Sequence, residues 1–190
     1  MLMRMRSALP LVAFELGADE RTLRRAVERG TVRCERPTPR SSSFASGEIA
    51  YLRAHWGLLG SLLRALRTEP NVRLAVLYGS AARGTDRPDS DIDVLVDLRD
   101  EEKGSASALA RRLEGHVGRH VDVARLPVVR KGAPFLLLQA LDEGRVLVDR
   151  EEAWMAVREA RDTIARAARR QNARERAEAI RSLGQLLEEL

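Results

Sequence analysis

Apolar residues change their spacing along this chain, and each spacing predicts a different element. Leu9, Leu11, Val12 and Leu16 recur at the three-to-four-residue interval of a helix with one buried face. Gly17-Ala18-Asp19 interrupts them. Asp19 is placed to cap a second helix, Glu20 to Arg29, whose inner face is Leu23, Ala26 and Val27, with Gly30 as its stop. Thr31 to Arg36 reads as a short strand. Pro37 to Ser43, with two prolines and three serines, reads as a loop. Ser46 is the expected cap of a longer helix, Gly47 to Arg67, with Ile49, Leu52, Trp56, Leu59, Leu62, Leu63 and Leu66 inward.

From Asn71 the helical interval gives way to short continuous apolar runs. Val72 to Tyr78, Ile92 to Leu98 and Val121 to Leu126 read as buried strands, and Val146 to Val148 as a fourth. Helical stretches, Ser105 to Val117 and Ala133 to Leu141, lie between them. Alternation of this kind predicts an α+β fold in which helices cover a small mixed sheet. The last stretch, Glu151 to Leu190, is helix-forming almost throughout. One apolar stripe there is Trp154, Val157, Ala160, Ile164, Ala167 and Ala168. A second is Ala177, Ile180, Leu183, Leu186, Leu187 and Leu190. Three segments are therefore expected: residues 1–68, 69–150 and 151–190.

Charge sharpens the division. The 190 residues carry a formal charge of +5, but residues 1–68 hold twelve Arg against six Asp and Glu, giving +6. Residues 69–150 balance thirteen basic against fourteen acidic, and residues 151–190 eight against eight. A basic leading segment points to a polyanionic partner, nucleic acid first. No apolar run reaches the ~20 residues of a membrane helix, and Leu9 to Phe14 is too short for a signal-peptide core, so a cytoplasmic protein without membrane contact is expected. The single Cys34 has no Cys or His at zinc-ligand spacing and reads as a partly buried thiol.

The stretch that carries chemistry is Leu77-Tyr78-Gly79-Ser80-Ala81-Ala82-Arg83-Gly84-Thr85-Asp86-Arg87-Pro88-Asp89-Ser90-Asp91-Ile92-Asp93. An apolar strand ends in Gly-Ser. There the glycine admits a phosphate close to the backbone, and the serine hydroxyl and nearby N–H groups can bond its oxygens. Arg83 adds a fork suited to phosphate. Asp91 and Asp93 stand two apart, so on a strand both carboxylates point to one face and form a site for hard divalent cations. Two such cations can stabilise the attacking and leaving oxygens of an in-line displacement at phosphorus.

This stretch resembles the signature of the polymerase-beta-type nucleotidyltransferases in their minimal form: Gly-Ser, ten residues, then Asp-x-Asp. The resemblance spans roughly Asn71 to Val148. It implies a third metal-site carboxylate on a later strand, and Asp122, within His120-Val121-Asp122-Val123, fits that place. It further implies Mg2+ or Mn2+ as cofactor and ATP or another NTP as substrate. Asp91, Asp93 and Asp122 would hold the metals and do the catalysis, and Gly79, Ser80 and Arg83 would bind the nucleotide. The implied reaction is transfer of NMP, AMP above all, to a hydroxyl with release of pyrophosphate. Minimal members are often antitoxins, which implies a separate protein toxin as partner. His116 and His120 read as turn residues or supports of the sheet, and nothing in the spacing of Arg87, Lys103 and Lys131 singles them out.

The leading segment is similar to the helix-turn-helix modules of bacterial regulators. On that reading Arg21, Thr22, Arg24 and Arg25 meet a DNA groove, and Arg33 and Arg36 touch phosphate from a wing. Promoter DNA would be bound as a homodimer, with Gly47–Arg67 and Glu151–Leu190 as candidate dimer surfaces. Two further readings explain the same residues. One is a DNA-binding regulator whose transferase domain only holds a nucleotide or partner. The other is an antibiotic nucleotidyltransferase.

Overall fold

A four-stranded mixed sheet covered on both faces forms the centre of the computed structural model, which describes residues 6–38, 41–100, 102 and 105–188. Along the chain run β1 (Arg6–Ala8), α1 (Leu9–Glu15), α2 (Glu20–Arg29), β2 (Glu35–Thr38), β3 (Ser41–Ala45) and α3 (Ser46–Arg67). Next come β4 (Val72–Tyr78), α4 (Gly79–Arg83), β5 (Ile92–Leu98), α5 (Ala106–Val117), β6 (Val121–Arg125), α6 (Leu126–Gly132), α7 (Pro134–Glu143) and β7 (Arg145–Asp149). Helices α8 (Ala153–Glu159) and α9 (Arg161–Glu188) follow. The fold is α+β, as predicted.

The central strands lie in the order β6-β5-β4-β7, with β5 and β6 parallel and β4 antiparallel to both its neighbours. Period-two alternation sends Ala75, Leu77, Ile92, Val94 and Val96 to one face, against Leu52, Leu59, Leu62 and Leu66 of α3 and Leu109 and Leu113 of α5. Leu74, Val76, Leu95 and Val146 go to the other, against Leu137 and Ala140 of α7, Val157 of α8 and Ile164 of α9. Burial on both sides explains why β4 and β5 read as unbroken apolar runs.

The leading helices form as expected. The Thr22 N–H donates to Asp19 Oδ1 at 3.1 Å, and Gly30 closes α2 in the left-handed region. Their core residues Leu9, Val12, Leu23 and Ala26, with Phe44 of β3, join the same apolar cluster as the inner face of α3. Most of the apolar stripe of α3 is thus buried within the chain, with Trp56 and Leu63 half-buried.

Several expectations are corrected. Leu11 is exposed, and Ala13 takes the inner position with Leu9 and Val12. The Pro37–Ser43 loop is instead part of a hairpin, with β2 and β3 completing a three-stranded antiparallel sheet, β1-β3-β2. Distant pairing with β1 and the burial of Phe44 stabilise it over the turn preference of its Ser and Pro residues. Ser46 is the first residue of α3; Ala45 takes the cap position without a side-chain bond. The residues after β6 turn into α6 because Pro127 suits a first helical turn and Leu126 and Val129 bury. The second C-terminal stripe begins exposed at Ala177 and Ile180; the side chains of Leu183, Leu186 and Leu187, and all of Leu190, lie outside the described residues.

One buried ion pair ties the leading segment to the sheet. Arg145 of β7 is 1% exposed and meets Glu48 of α3 through both carboxylate oxygens, at 2.6 and 2.9 Å. Its guanidinium also donates to the carbonyls of Ala82 (2.9 Å) and Thr31 (3.2 Å) and lies 3.4 Å from the centre of the Tyr51 ring. With its donors directed at these partners, the charge is held without water.

Candidate active site

Three aspartates converge where β4 ends and where β5 and β6 begin. Asp93 and Asp122 are register partners on the parallel pair β5 and β6, and Tyr78, the last residue of β4, stands opposite Asp93 on the other side. Asp91 enters β5 two residues ahead of Asp93. Oxygen or nitrogen atoms of Asp91, His120 and Asp122 all lie within 4.8 Å of one another, and all three residues are exposed. The site brings together the three carboxylates singled out in the sequence and adds His120, whose Nδ1 is 2.5 Å from Glu114 and whose Nε2 is 3.7 Å from Asp122. His120 is the solvated turn residue expected, yet its position two before Asp122 also sets it beside the cluster.

The carboxylates act on one another. Burial pushes the Asp93 carboxyl above its ordinary pKa, the charges of Asp122 and Asp91 push it further, and Arg83 opposes them. Carboxylates gathered in this way could hold a hard divalent ion through oxygen. The phenol of Tyr78 is pushed up to about 12, by burial first and then by Asp93 and Asp122.

The turn after β4 is shaped around Asp93. Gly79 has φ +72, and a Cβ placed on it would overlap Asp93 Oδ2. Only glycine meets both conditions, the left-handed backbone and the close carboxylate. Ser80 is half-buried on the next position. Arg83 closes α4 with its guanidinium 2.6 Å from Glu143 Oε1, which also accepts from Gln139 at 2.7 Å.

The loop between Gly84 and Asp91 is pinned by residues whose part the sequence did not reveal. Asp86 meets His55 Nε2 and Arg119 Nη1, both at 2.7 Å. Burial acts to raise the Asp86 carboxyl, but the His55 and Arg119 hydrogen bonds prevail and hold it below the usual range. Arg119 donates to the carbonyl of Ser90 at 2.6 Å and to that of Arg87 at 3.0 Å, clamping the chain just before Asp91. His55 stacks on Tyr51, ring centres 4.5 Å apart. These partners come from α3 and from the residue before His120, too far along the chain for spacing to show. Arg87 enters this clamp through its backbone, its carbonyl accepting from Arg119 and its N–H donating to Ser90 Oγ at 2.9 Å; His116 and Lys131 have no part in it among the described residues, and Lys103 lies outside the described residues.

The residues assigned to DNA do not share one surface. Thr22 and Arg25 line a groove between α2, α3 and β7. Arg21 and Arg24 are exposed elsewhere on α2. Arg33 donates from its side chain to the Glu143 carbonyl and from its backbone to Glu48, 3.0 Å away. The side chain of Arg36 lies outside the described residues.

A turn that takes only glycine thus stands beside an acidic triad at the ends of a small mixed sheet. Residues 61–153 match the family described as Polymerase beta, Nucleotidyltransferase, so this part of the chain is a nucleotidyltransferase domain of that family. Among solved structures, a toxin-antitoxin with AMP-PNP is similar, with 20% identity and a TM-score of 0.52; the match covers 64% of this chain and 98% of that one. A toxin-antitoxin MntA–HpeT mutant carrying two Asp→Glu changes follows at 19% identity and a TM-score of 0.51, over 64% and 98%. A second MntA–HpeT mutant, with a Tyr→Ala change, gives 21% and 0.50, over 64% and 96%. No curated protein sequence matches the chain. No helix among the described residues is long and apolar enough to cross a membrane.

Proposed function

We propose that the protein transfers AMP from ATP to a hydroxyl of a partner protein, as the antitoxin of a toxin–antitoxin pair. The observation that carries this reading is the register pairing of Asp93 with Asp122 beside Asp91, facing a turn that only glycine can occupy. Similarity in fold to toxin-antitoxin structures, one of them with AMP-PNP, supports the partner and the nucleotide. Asp91, Asp93 and Asp122 would hold Mg2+, which would supply positive charge at the phosphates. The turn at Gly79 and Ser80 seats the phosphates, and Arg83 swings from Glu143 to join them. The acceptor hydroxyl attacks the α-phosphorus, the bond from that phosphorus to the α,β-bridging oxygen breaks, and pyrophosphate leaves. The hydroxyl proton passes to Asp122, whose side chain is 67% exposed and thus open to an incoming acceptor.

The test is co-expression with the product of the adjacent gene, followed by intact-mass analysis. The reading expects the partner to gain whole AMP increments with the wild-type chain and none with Asp91→Asn. A partner without added AMP in both cases overturns it.

The +6 charge of residues 1–68 and the correctly formed α1–α2 pair favour a second activity, binding of the protein's own promoter. A shift assay on upstream DNA against unrelated DNA of equal length tests it. Loss of selective binding in Arg21→Ala/Arg24→Ala supports it; equal affinity for both fragments overturns it.

A further inference from the structure

The arginines of α2 are all exposed, but they do not share one face. Arg25 and Arg29, one turn apart, line one wall of a groove of about 690 Å³ whose opposite wall carries Arg64 and Arg67 of α3. Arg150, just past β7, lies at its end, and Trp56 and Leu63 form part of the lining. Residues three or four apart on a helix have Cβ atoms about 5–6 Å apart, so each wall carries two neighbouring arginines. Asp149 is the carboxylate in this lining, and its Oδ1 accepts from the backbone N–H of Trp154. Among the described residues, Arg25, Arg29, Arg64 and Arg67 make no ion pair; Arg64 bonds only to the Ser61 hydroxyl and Arg150 only to the carbonyls of Glu69 and Val72. Five guanidinium charges face one carboxylate.

Arg25, Arg29, Arg64 and Arg67 are exposed, so water screens their repulsion, and an anion in the groove would relieve what remains. Arg29 registers it: burial first, and then the neighbouring Arg25, lower its pKa below the ordinary arginine value. The groove is also remote from the aspartates. It opens beside Asp149, the register partner of Leu74, whereas Asp93 pairs with Tyr78. Four residues of strand, roughly 13 Å, separate the two levels of the sheet.

We infer that the groove is a second binding site, one that takes a chain of phosphate groups. Two facing rows of guanidinium forks suit successive phosphates rather than a single one. The half-buried indole of Trp56 adds a flat apolar surface of the kind on which a base stacks. The phosphates can come from a single-stranded nucleic acid or from a free oligophosphate such as a nucleoside triphosphate. Either would bring anionic substrate or partner to a surface that the transfer chemistry leaves untouched.

The experiment is fluorescence anisotropy of a labelled, mixed-sequence single-stranded oligonucleotide, in chelator so that the metal-dependent nucleotide site stays silent. Inorganic triphosphate serves as competitor and, by calorimetry, as a ligand in its own right. Arg64→Glu/Arg67→Glu, on the outer wall of the groove, should weaken binding at least about tenfold. It should also flatten the slope of log affinity against log salt by roughly 0.7 for each phosphate that is no longer neutralised. Arg64→Gln/Arg67→Gln should fall between it and the wild type. Arg169→Ala/Arg170→Ala, exposed on α9 and outside the groove, should bind as the wild type does, and all variants should keep AMP transfer. Binding of triphosphate without the oligonucleotide assigns the free source, and binding of the strand assigns nucleic acid. Wild-type chain that binds neither, or Arg64→Glu/Arg67→Glu chain that binds as tightly as wild type, overturns the inference.

Discussion

At one end of the four-stranded sheet, three aspartates meet on strand ends; at the other, five arginines line a groove between helices. The two ends differ in more than sign. Asp93 and Asp122 are short side chains fixed by strand register, next to a glycine shaped around one of them, so their geometry is set to within the tolerance that chemistry demands. Groove arginines are long and lack ion pairs among the described residues, and they can follow a ligand of varied shape. A site built for reaction is rigid and pairs each charge with a position. A site built for grip needs only enough charge of one sign. Both bring like charges together, and a ligand of the opposite sign would relieve each.

The largest effect should come from Gly79→Val. A Cβ there collides with Asp93 and the backbone must leave the left-handed region, so ATP binding with magnesium, read by calorimetry, should vanish while the groove still binds its anion. Unchanged ATP affinity would place the nucleotide elsewhere and dissolve the contrast. Next, Glu48→Ala leaves Arg145 buried and unpaired. Urea unfolding should show a loss of about 3–5 kcal/mol, because this joint carries the leading segment on the sheet. A loss below ~1 kcal/mol would mean that water reaches Arg145.

Ser80→Ala should weaken ATP binding by about 1.5–3 kcal/mol, the value of one hydrogen bond to a charged group. No change would remove the hydroxyl from the phosphate site. The smallest effect concerns the loop clamp. Asp86 has a depressed pKa in the folded chain, so its stabilisation is fully present above its unfolded value and is lost as pH falls through the folded one. Asp86→Asn should thus cost on the order of 1 kcal/mol at neutral pH, and the gap should close below about pH 4. A gap independent of pH would assign the loss to packing.

Legibility followed the range of the interactions. Val72–Tyr78 and Ile92–Leu98 were readable to the residue because burial on both faces forces continuous apolar runs. Gly79, Ser80, Asp91 and Asp93 were readable because one strand–turn–strand unit carries them all, and Asp122 because valines flank it. The β2–β3 hairpin was not, since its Ser and Pro residues favour a turn and the pairing with β1 comes from residues 6–8. Nor was the Arg145–Glu48 pair, whose members lie 97 residues apart. The clamp of Asp86 by His55 and Arg119, and the groove with walls from three separate segments, exist only after folding. Arg21, Thr22, Arg24, Arg25 and Arg33 looked alike as polar residues of one module; the fold turns two of them into the groove and bonds one to Glu143.

The central claim is that the acidic end performs the transfer. Its most direct measurement is pyrophosphate release from ATP and magnesium in the presence of the partner, for wild type and Asp93→Asn, with melting temperature read on the same samples. The account predicts release by the wild type and none by the variant, at a melting temperature equal to or above that of the wild type, because removing one of the crowded carboxylate charges relieves repulsion. Release by Asp93→Asn at the wild-type rate would contradict it.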